Sequence, residues 1–179
     1  ITMAQTAAGY TFTATTGGAL NSMAGSTLLI AASSDDGTSG VQAIGFPFNY
    51  EGTNYTQFSA SVNGLVRLGA TGVTGEFTNS FASGTNVPKL MPSWDDHHTG
   101  NIGGGGQVHT VLLGSSPNQI RVIEWFVTIP RSTTGAANAR FQCWLYEGTN
   151  VVEYRYGTSG GNTASASYGV GGLASSNFV

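Results

Sequence analysis

The densest group of chemically capable side chains is the run Trp94-Asp-Asp-His-His98, which comes before a glycine-rich loop. Carboxylates at the end of a strand, beside loop carbonyls, can hold Ca²⁺, which prefers oxygen ligands. The adjacent histidines could instead favour a transition metal. Neighbouring side chains of an extended chain point to opposite sides, so all four cannot face one ion. The metal hypothesis is therefore Ca²⁺ on Asp95 and Asp96, and the simpler interpretation is that these aspartates accept backbone N–H bonds that hold the loop.

Two further carboxylates, Glu124 and Glu153, lie in the middle of apolar stretches that are typical of strands. Two carboxylates facing each other across a concave sheet could act as acid and base on a glycosidic bond. The preferred interpretation is that they form ion pairs with arginines on nearby strands. The arginines available for this are Arg121, Arg140 and Arg155.

Cys143 is the only cysteine, so no internal disulfide can form. Its neighbours at a spacing of two, Phe141 and Leu145, are apolar, which predicts a buried thiol that packs as a small hydrophobic group. If Phe141 and Cys143 face inward, Trp144 and Tyr146 must face the other way. We therefore predict that Trp144 and Tyr146 form an interaction surface, either exposed or covered by a partner.

The elements that must position these side chains are short strands separated by turns rich in Gly, Asn and Ser. Asn63-Gly64 predicts a type I′ hairpin, because both residues readily adopt positive φ, and Gly148-Thr-Asn150 predicts a second hairpin. Both faces of 119–129 are largely apolar, which predicts either a central strand covered on both sides or part of a curved sheet. The predicted strands are Tyr10–Thr15, Thr27–Ala32, Ala43–Tyr50, Gln57–Val62, Leu65–Leu68, Leu90–Trp94, Gln107–Leu113, Gln119–Ile129, Ala139–Glu147, Val151–Tyr156 and Ala164–Val170.

The composition is that of an extracellular β-rich module. Only 8% of the 179 residues are charged, and 27 are glycine, whereas an ordinary soluble domain has roughly 25% charged residues. The six basic residues are scattered, which excludes the basic patch that nucleic acid requires. No apolar run is long enough for a membrane span. We expect one domain over residues 1–179, which could be part of a longer chain.

Several stretches together resemble a β-sandwich domain of large secreted and cell-surface proteins of Bacteroidota-type bacteria. The pattern is also similar to nidogen-type extracellular domains. The resemblance covers roughly residues 10–170 and implies an extracellular adhesive or structural setting, with no defined reaction. The stretches that carry it are Ile44–Thr56, Phe58–Gly69, Met91–Asp96, Ile123–Phe126 and Phe141–Gly157.

These observations predict an all-β fold, an antiparallel β-sandwich of jelly-roll type. The predicted function is that of a non-catalytic extracellular module, either adhesin-like or a subunit of a cell-surface filament. Its partners would be other protein subunits or cell-surface components, and Ca²⁺ is the one cofactor considered. The alternative is a carbohydrate-binding module or glycosidase, which would use exposed aromatic residues and strand carboxylates to contact glycans.

Overall fold

Ten β-strands make up most of the regular structure within the residues that the structure describes. The structure is a computed structural model and describes residues 5–103, 105–161, 165–174 and 176–179. Among these residues the only helix is a single 3-10 turn, Ala7–Gly9. The strands are β1 (Thr27–Ile30), β2 (Gln42–Tyr50), β3 (Thr53–Ala60), β4 (Val66–Leu68), β5 (Lys89–Trp94), β6 (Gln107–Leu113), β7 (Ile120–Val127), β8 (Ala139–Tyr146), β9 (Val152–Tyr156) and β10 (Ser167–Gly171).

The strands form two five-stranded sheets, and every paired neighbour is antiparallel. The first sheet has the order β1-β6-β7-β8-β9, and the second has the order β10-β5-β4-β3-β2. The chain therefore changes sheet between β1 and β2, between β5 and β6, and between β9 and β10. The all-β antiparallel sandwich expected from the sequence is confirmed.

The core lies between the two sheets and is built by alternating side chains. In β2 every second residue from Ile44 to Tyr50 is buried, because successive strand residues point to opposite faces. Trp125 of β7 is completely buried, stacks on Phe141 at 5.2 Å between ring centroids, and donates from Nε1 to the carbonyl oxygen of Ser61 at 2.7 Å. This aromatic pair and its hydrogen bond tie the first sheet to the end of β3.

β7 is the central strand of its sheet, as predicted. Its outward side chains Val122 and Glu124 are buried, because residues 19–26, here called the outer cover, lie across this face. The outer cover is fixed by two hydrogen bonds: Asn21 N–H donates to Gln142 Oε1 and Gln142 Nε2 donates to the Asn21 carbonyl, each at 2.9 Å. The first sheet is thus covered on both sides.

The strand predicted at Tyr10–Thr15 is wrong. Residues 11–19 are exposed and belong to neither sheet. Their sequence suits a strand, but a strand exists only where a partner edge supplies its hydrogen bonds, and no described strand of the chain does so. The strand predicted from Ala164 begins at Ser167 instead, and Ala164 lies outside the described residues.

Both predicted hairpins form, but the first turn differs from the one expected. Only Gly64 of the Asn63-Gly64 pair has a positive φ, of 75°, so the turn is not type I′. Asn63 is fully buried, and its amide group donates to Asp36 Oδ1 at 2.7 Å while accepting the N–H of His97 at 2.9 Å. These tertiary bonds decide its conformation.

Candidate functional site

The carboxylate of Asp96 lies in an acidic cluster with Asp35 and Asp36, whose ligand oxygens all lie within 4.8 Å of one another. Arg131 forms ion pairs with two members of the cluster, Asp35 and Asp96, and its Nε lies 2.9 Å from Asp96 Oδ1. Burial raises the pKa of Asp96, while the positive charge of Arg131 opposes this rise and the neighbouring aspartates add to it. The three carboxylates have the spacing to bind a metal ion. The positive charge that now lies beside them is the guanidinium of Arg131.

Asp95 is not a member of this cluster. It is 8% exposed, and its Oδ1 accepts the backbone N–H of Asp96 at 2.9 Å and the hydroxyl of Ser165 at 3.0 Å. Ca²⁺ binding by Asp95 and Asp96 stays a prediction; Asp95 lies outside the cluster that Asp96 forms with Asp35 and Asp36. Asp95 has the geometry expected of a residue that holds the loop.

The two histidines of the run are also buried and support the loop backbone. His97 Nε2 donates to the Ser93 carbonyl at 2.9 Å, and His98 Nδ1 accepts the N–H of Gly100 at 2.7 Å. Burial lowers the pKa of His97, although its bond to Ser93 and the charge of Asp95 oppose this. The sequence did not identify Asp35 and Asp36 as neighbours of Asp96; their only signal was an Asp-Asp-Gly turn some sixty residues earlier.

Glu124 forms a half-buried ion pair on the outer face of the first sheet. Its Oε1 lies 2.6 Å from Nη1 of Arg140, and its Oε2 accepts a bond from Gln142 Nε2 at 2.6 Å. The guanidinium of Arg140 also lies over the ring of Phe126, at 3.9 Å from the centroid. Glu124 thus has the ion-pair role preferred from the sequence.

Glu153 of β9 pairs with Arg155, whose Nε lies 2.8 Å from Glu153 Oε1. Burial alone would raise the pKa of Glu153, but hydrogen bonds from Arg155 and Tyr146 outweigh burial and lower it. Burial and the bond to Glu153 raise the pKa of Tyr146 to about 12. This carboxylate, too, is held in an ion pair.

Trp144 is covered by the chain itself. It is 6% exposed, lies 3.6 Å beneath the guanidinium carbon of Arg155, and donates from Nε1 to Gln142 Oε1 at 2.9 Å. Tyr146 stacks beside it at 6.1 Å and remains partly exposed. Of the predicted interaction pair, Trp144 is therefore buried by the chain itself and Tyr146 is partly exposed.

A small cavity of about 210 Å³ opens between the outer cover and the first sheet. Met23 and Ser26 of the outer cover form one wall, and the sheet supplies Gln107, His109, Glu124, Phe126 and Arg140. The cavity therefore combines carboxylate, imidazole, amide and guanidinium groups with an aromatic ring. Such a set can bind hydroxyl groups.

Cys143 is fully buried, as predicted, and burial raises the pKa of its thiol. Tyr154 on the adjacent strand is partly buried and packs against the core, and its hydroxyl donates to the Gly169 carbonyl at 2.7 Å. These contacts make Cys143 part of the core.

Exposed apolar side chains gather where β9 lies over β10. We call this surface the β9–β10 patch; it consists of Tyr156, Tyr168, Phe178 and Val179, which are 48%, 51%, 37% and 44% exposed. The rings of Tyr156 and Tyr168 meet edge to face at 5.8 Å, and Phe178 pairs with Gly171 of β10. Sequence reasoning missed the patch, because strand aromatics are usually core.

The fold and these surfaces define a β-sandwich module whose strand carboxylates are structural. The chain belongs to the NIDO-related family: the family model described as "NIDO related" matches residues 9–179. Membership of this family suggests an extracellular module. No curated protein and no solved structure matches the chain. Within the described residues, no helix has the length and apolar character needed to cross a bilayer.

Proposed function

We propose that this chain is a non-catalytic building or adhesive unit of the cell exterior, which acts through contacts with further copies of itself or with other surface proteins. An adhesin-like domain or a filament subunit on a bacterial surface is the setting that the sequence resemblance favours. The small net charge of −3 supports close packing of many copies, because like-charged subunits repel.

The observation that carries the proposal is the β9–β10 patch. Tyr156 of β9 and Tyr168 of β10 lie on edge strands of the two different sheets and meet edge to face, while Phe178 and Val179 lie beside β10. Single exposed apolar residues are normal, but a contiguous group of them marks a contact surface. Aromatic residues are also enriched at protein interfaces.

Light scattering over a wide concentration range, with electron microscopy of the same samples, tests the proposal. We expect the wild-type chain to self-associate and Tyr168→Ser to weaken this association. Ile102→Ser is the matched control, because Ile102 is similarly exposed at 59% but does not belong to the patch. A wild-type chain that stays monomeric and shows no ordered polymer would contradict self-assembly and leave only adhesion to other proteins.

Glycan binding is a second candidate, favoured by the cavity beneath the outer cover. Glu124 and Arg140 can exchange hydrogen bonds with sugar hydroxyls, while Met23 offers an apolar contact. Binding of labelled glycans to the wild-type chain and to Gln107→Ala tests it, since Gln107 lines the cavity without joining the Glu124 ion pair. Equal binding by both proteins argues against the cavity as the site.

Calcium binding by the loop that follows β5 is also a proposal. Asp96 would contribute together with Asp35 and Asp36, and Arg131 would have to move away from their carboxylates. A ligand that binds only the folded state raises the melting temperature by mass action. The melting temperature should therefore be higher in excess Ca²⁺ than in chelator, and Asp36→Asn should reduce this difference. Equal melting temperatures in the two conditions would contradict Ca²⁺ binding.

A further inference from the structure

We propose that residues 11–16 form an intermolecular β-strand, which pairs with the outer edge of β9 in a second copy of the chain. We call residues 11–16 the free segment. This inference rests on the proposed function, because it names the strand and the edge through which copies associate. It requires a strand-forming segment without a partner, an open edge, and a reason why the two do not pair within one chain.

The free segment has the composition of a strand but makes no strand contacts. Its sequence, Thr-Phe-Thr-Ala-Thr-Thr, is rich in β-branched and aromatic residues, which favour strands. All its residues are exposed, with Phe12 at 78%. Within the described parts of the chain, its backbone takes part in no hydrogen bond. A partner strand would satisfy these groups and cover Phe12.

Both ends of the free segment are anchored to the sandwich. On one side, the ring of Tyr10 stacks on Tyr50 at 5.3 Å, and the N–H of Ala7 donates to Glu51 Oε1 at 2.7 Å. On the other side, the carbonyl of Ala19 accepts a bond from Arg155 Nη1 at 2.9 Å. Anchoring at both ends restricts the segment at the surface, which reduces the entropy lost when it pairs.

The outer edge of β9 is open. Val151 and Gly157, which flank the strand, direct backbone bonds toward β8: Tyr146 N–H donates to the Val151 carbonyl at 3.1 Å, and Gly157 N–H donates to the Arg140 carbonyl at 2.8 Å. Antiparallel ladders alternate, so the N–H and C=O groups of Val152 and Tyr154 point outward. These groups have no partner among the residues that the structure describes.

The edges of the second sheet are already engaged. On β2, Asn49 N–H donates to Asn150 Oδ1, and the Ile44 carbonyl accepts from Arg121 Nε, each at 2.8 Å. On β10, Val170 and Val179 exchange two backbone bonds of 2.8 and 3.0 Å. The remaining edge, β1, has four residues and a bulge, and short bulged edges resist pairing. β9 is therefore the edge best suited to accept a strand.

The free segment and β9 also match in charge and length. The segment carries no charge, and the two charges of β9, Glu153 and Arg155, neutralise each other. An uncharged strand therefore fits this edge without leaving a charge unpaired. At about 3.3 Å per residue, six residues span about 20 Å, and the five residues of β9 span about 17 Å.

Anchoring keeps the free segment from pairing within its own chain. The last residues of the free segment and the glycines that follow it approach β9, and a cleft of about 310 Å³ lies between Thr15–Gly18 and the strand. However, the chain is held at the side chain of Arg155 by its bond to the Ala19 carbonyl, and among the described residues no backbone hydrogen bond joins the segment to β9. A second copy is free of this constraint and can bring its β9 edge alongside the exposed segment.

Thr13→Pro tests the assignment, because proline removes a backbone donor and disfavours strand pairing. The backbone of Thr13 makes no hydrogen bond with any residue that the structure describes, so the melting temperature of the dilute variant should match that of the wild type. Its self-association should weaken at least about tenfold, since several ladder bonds depend on this strand. Thr13→Val is the control and should associate like the wild type, because valine keeps the backbone N–H and the β-branched shape.

Cysteine cross-linking provides an independent readout, since the native Cys143 is buried. Thr13→Cys mixed with Val151→Cys should form disulfide-linked pairs under mild oxidation. Thr13→Cys mixed with Ser115→Cys, an exposed turn position on another part of the surface, should not.

The outcomes separate this inference from the proposed function. If wild type and Thr13→Pro associate equally, the free segment is not the strand, although self-assembly stands. If the wild type is monomeric at every concentration, this inference and self-assembly both fail, and only adhesion to other proteins stands. If a chain carrying both Thr13→Cys and Val151→Cys cross-links to itself at high dilution, the segment pairs within its own chain and the inference is overturned.

Discussion

Replacing Arg140 by methionine would test whether Glu124 is a structural ion-pair partner. The side chain of Glu124 is 7% exposed, whereas that of Arg140 is 41% exposed, and their charged atoms lie 2.6 Å apart. Methionine keeps much of the aliphatic stem that packs near Phe126 while removing the charge. The substitution therefore leaves a buried carboxylate whose remaining described side-chain partner is the amide of Gln142.

The expected loss lies between two limits. Breaking a fully buried ion pair destabilises a protein by about 3–5 kcal/mol, and breaking an exposed pair by about 0–1 kcal/mol. Here solvent screens Arg140 but hardly reaches Glu124, and Gln142 still donates to the carboxylate. We expect the free energy of unfolding to fall by about 2 kcal/mol, which lowers the melting temperature by roughly 4–8 °C in a chain of this length.

Urea unfolding followed by tryptophan fluorescence measures this loss. Arg67→Met is the control, because Arg67 donates to the Gly72 carbonyl at 3.2 Å at an exposed site, and it should change stability by less than about 0.5 kcal/mol. Adding Glu124→Gln to Arg140→Met removes the uncompensated charge and should restore at least about 1 kcal/mol. A loss below about 0.5 kcal/mol for Arg140→Met, or no recovery in the double variant, would refute the ion-pair account.

Three further predictions follow from burial and backbone geometry. Cys143 should react with a thiol reagent far more slowly in the native protein than in urea, because it is fully buried and burial raises its pKa; equal rates would contradict this. Gly64→Ala should lower the free energy of unfolding by at least about 2 kcal/mol, since φ is +75° and the new Cβ would lie 1.8 Å from the Ser93 carbonyl oxygen. A urea midpoint equal to that of the wild type would contradict this prediction. Burial lowers the pKa of His97, so its contribution to stability is present above about pH 6.5 and is lost as the pH falls. The melting temperature of His97→Gln should therefore change less between about pH 7.5 and 5.5 than that of the wild type, and equal changes would contradict this role.

Strand positions could be predicted well where alternation was strong. In β2 the alternating apolar residues from Ile44 to Tyr50 are also the buried ones, because the two-residue period of a strand is a local property. The unexpected state of Tyr10–Thr15 shows the limit of this reasoning. Its residues favour a strand, but pairing requires an edge elsewhere in the molecule, and local pattern carries no information about that edge.

The acidic cluster shows the same limit for a site. The sequence pointed to Asp95 and Asp96 because they are adjacent, and adjacency on an extended chain separates side chains. Folding brings Asp96 to Asp35 and Asp36 instead, with Arg131 from a third part of the chain. Such a grouping depends on how loops cross the end of the sandwich.

The sequence alone determined the β-rich class, the turn positions, the burial of Cys143 and the low charge of this protein, because each follows from residue type and short-range spacing. Only the tertiary structure decided which carboxylates meet, that Trp144 lies beneath Arg155, and which edges stay open. These features depend on contacts between residues far apart in the chain, whose pairing is set by the packing of two sheets rather than by any local preference.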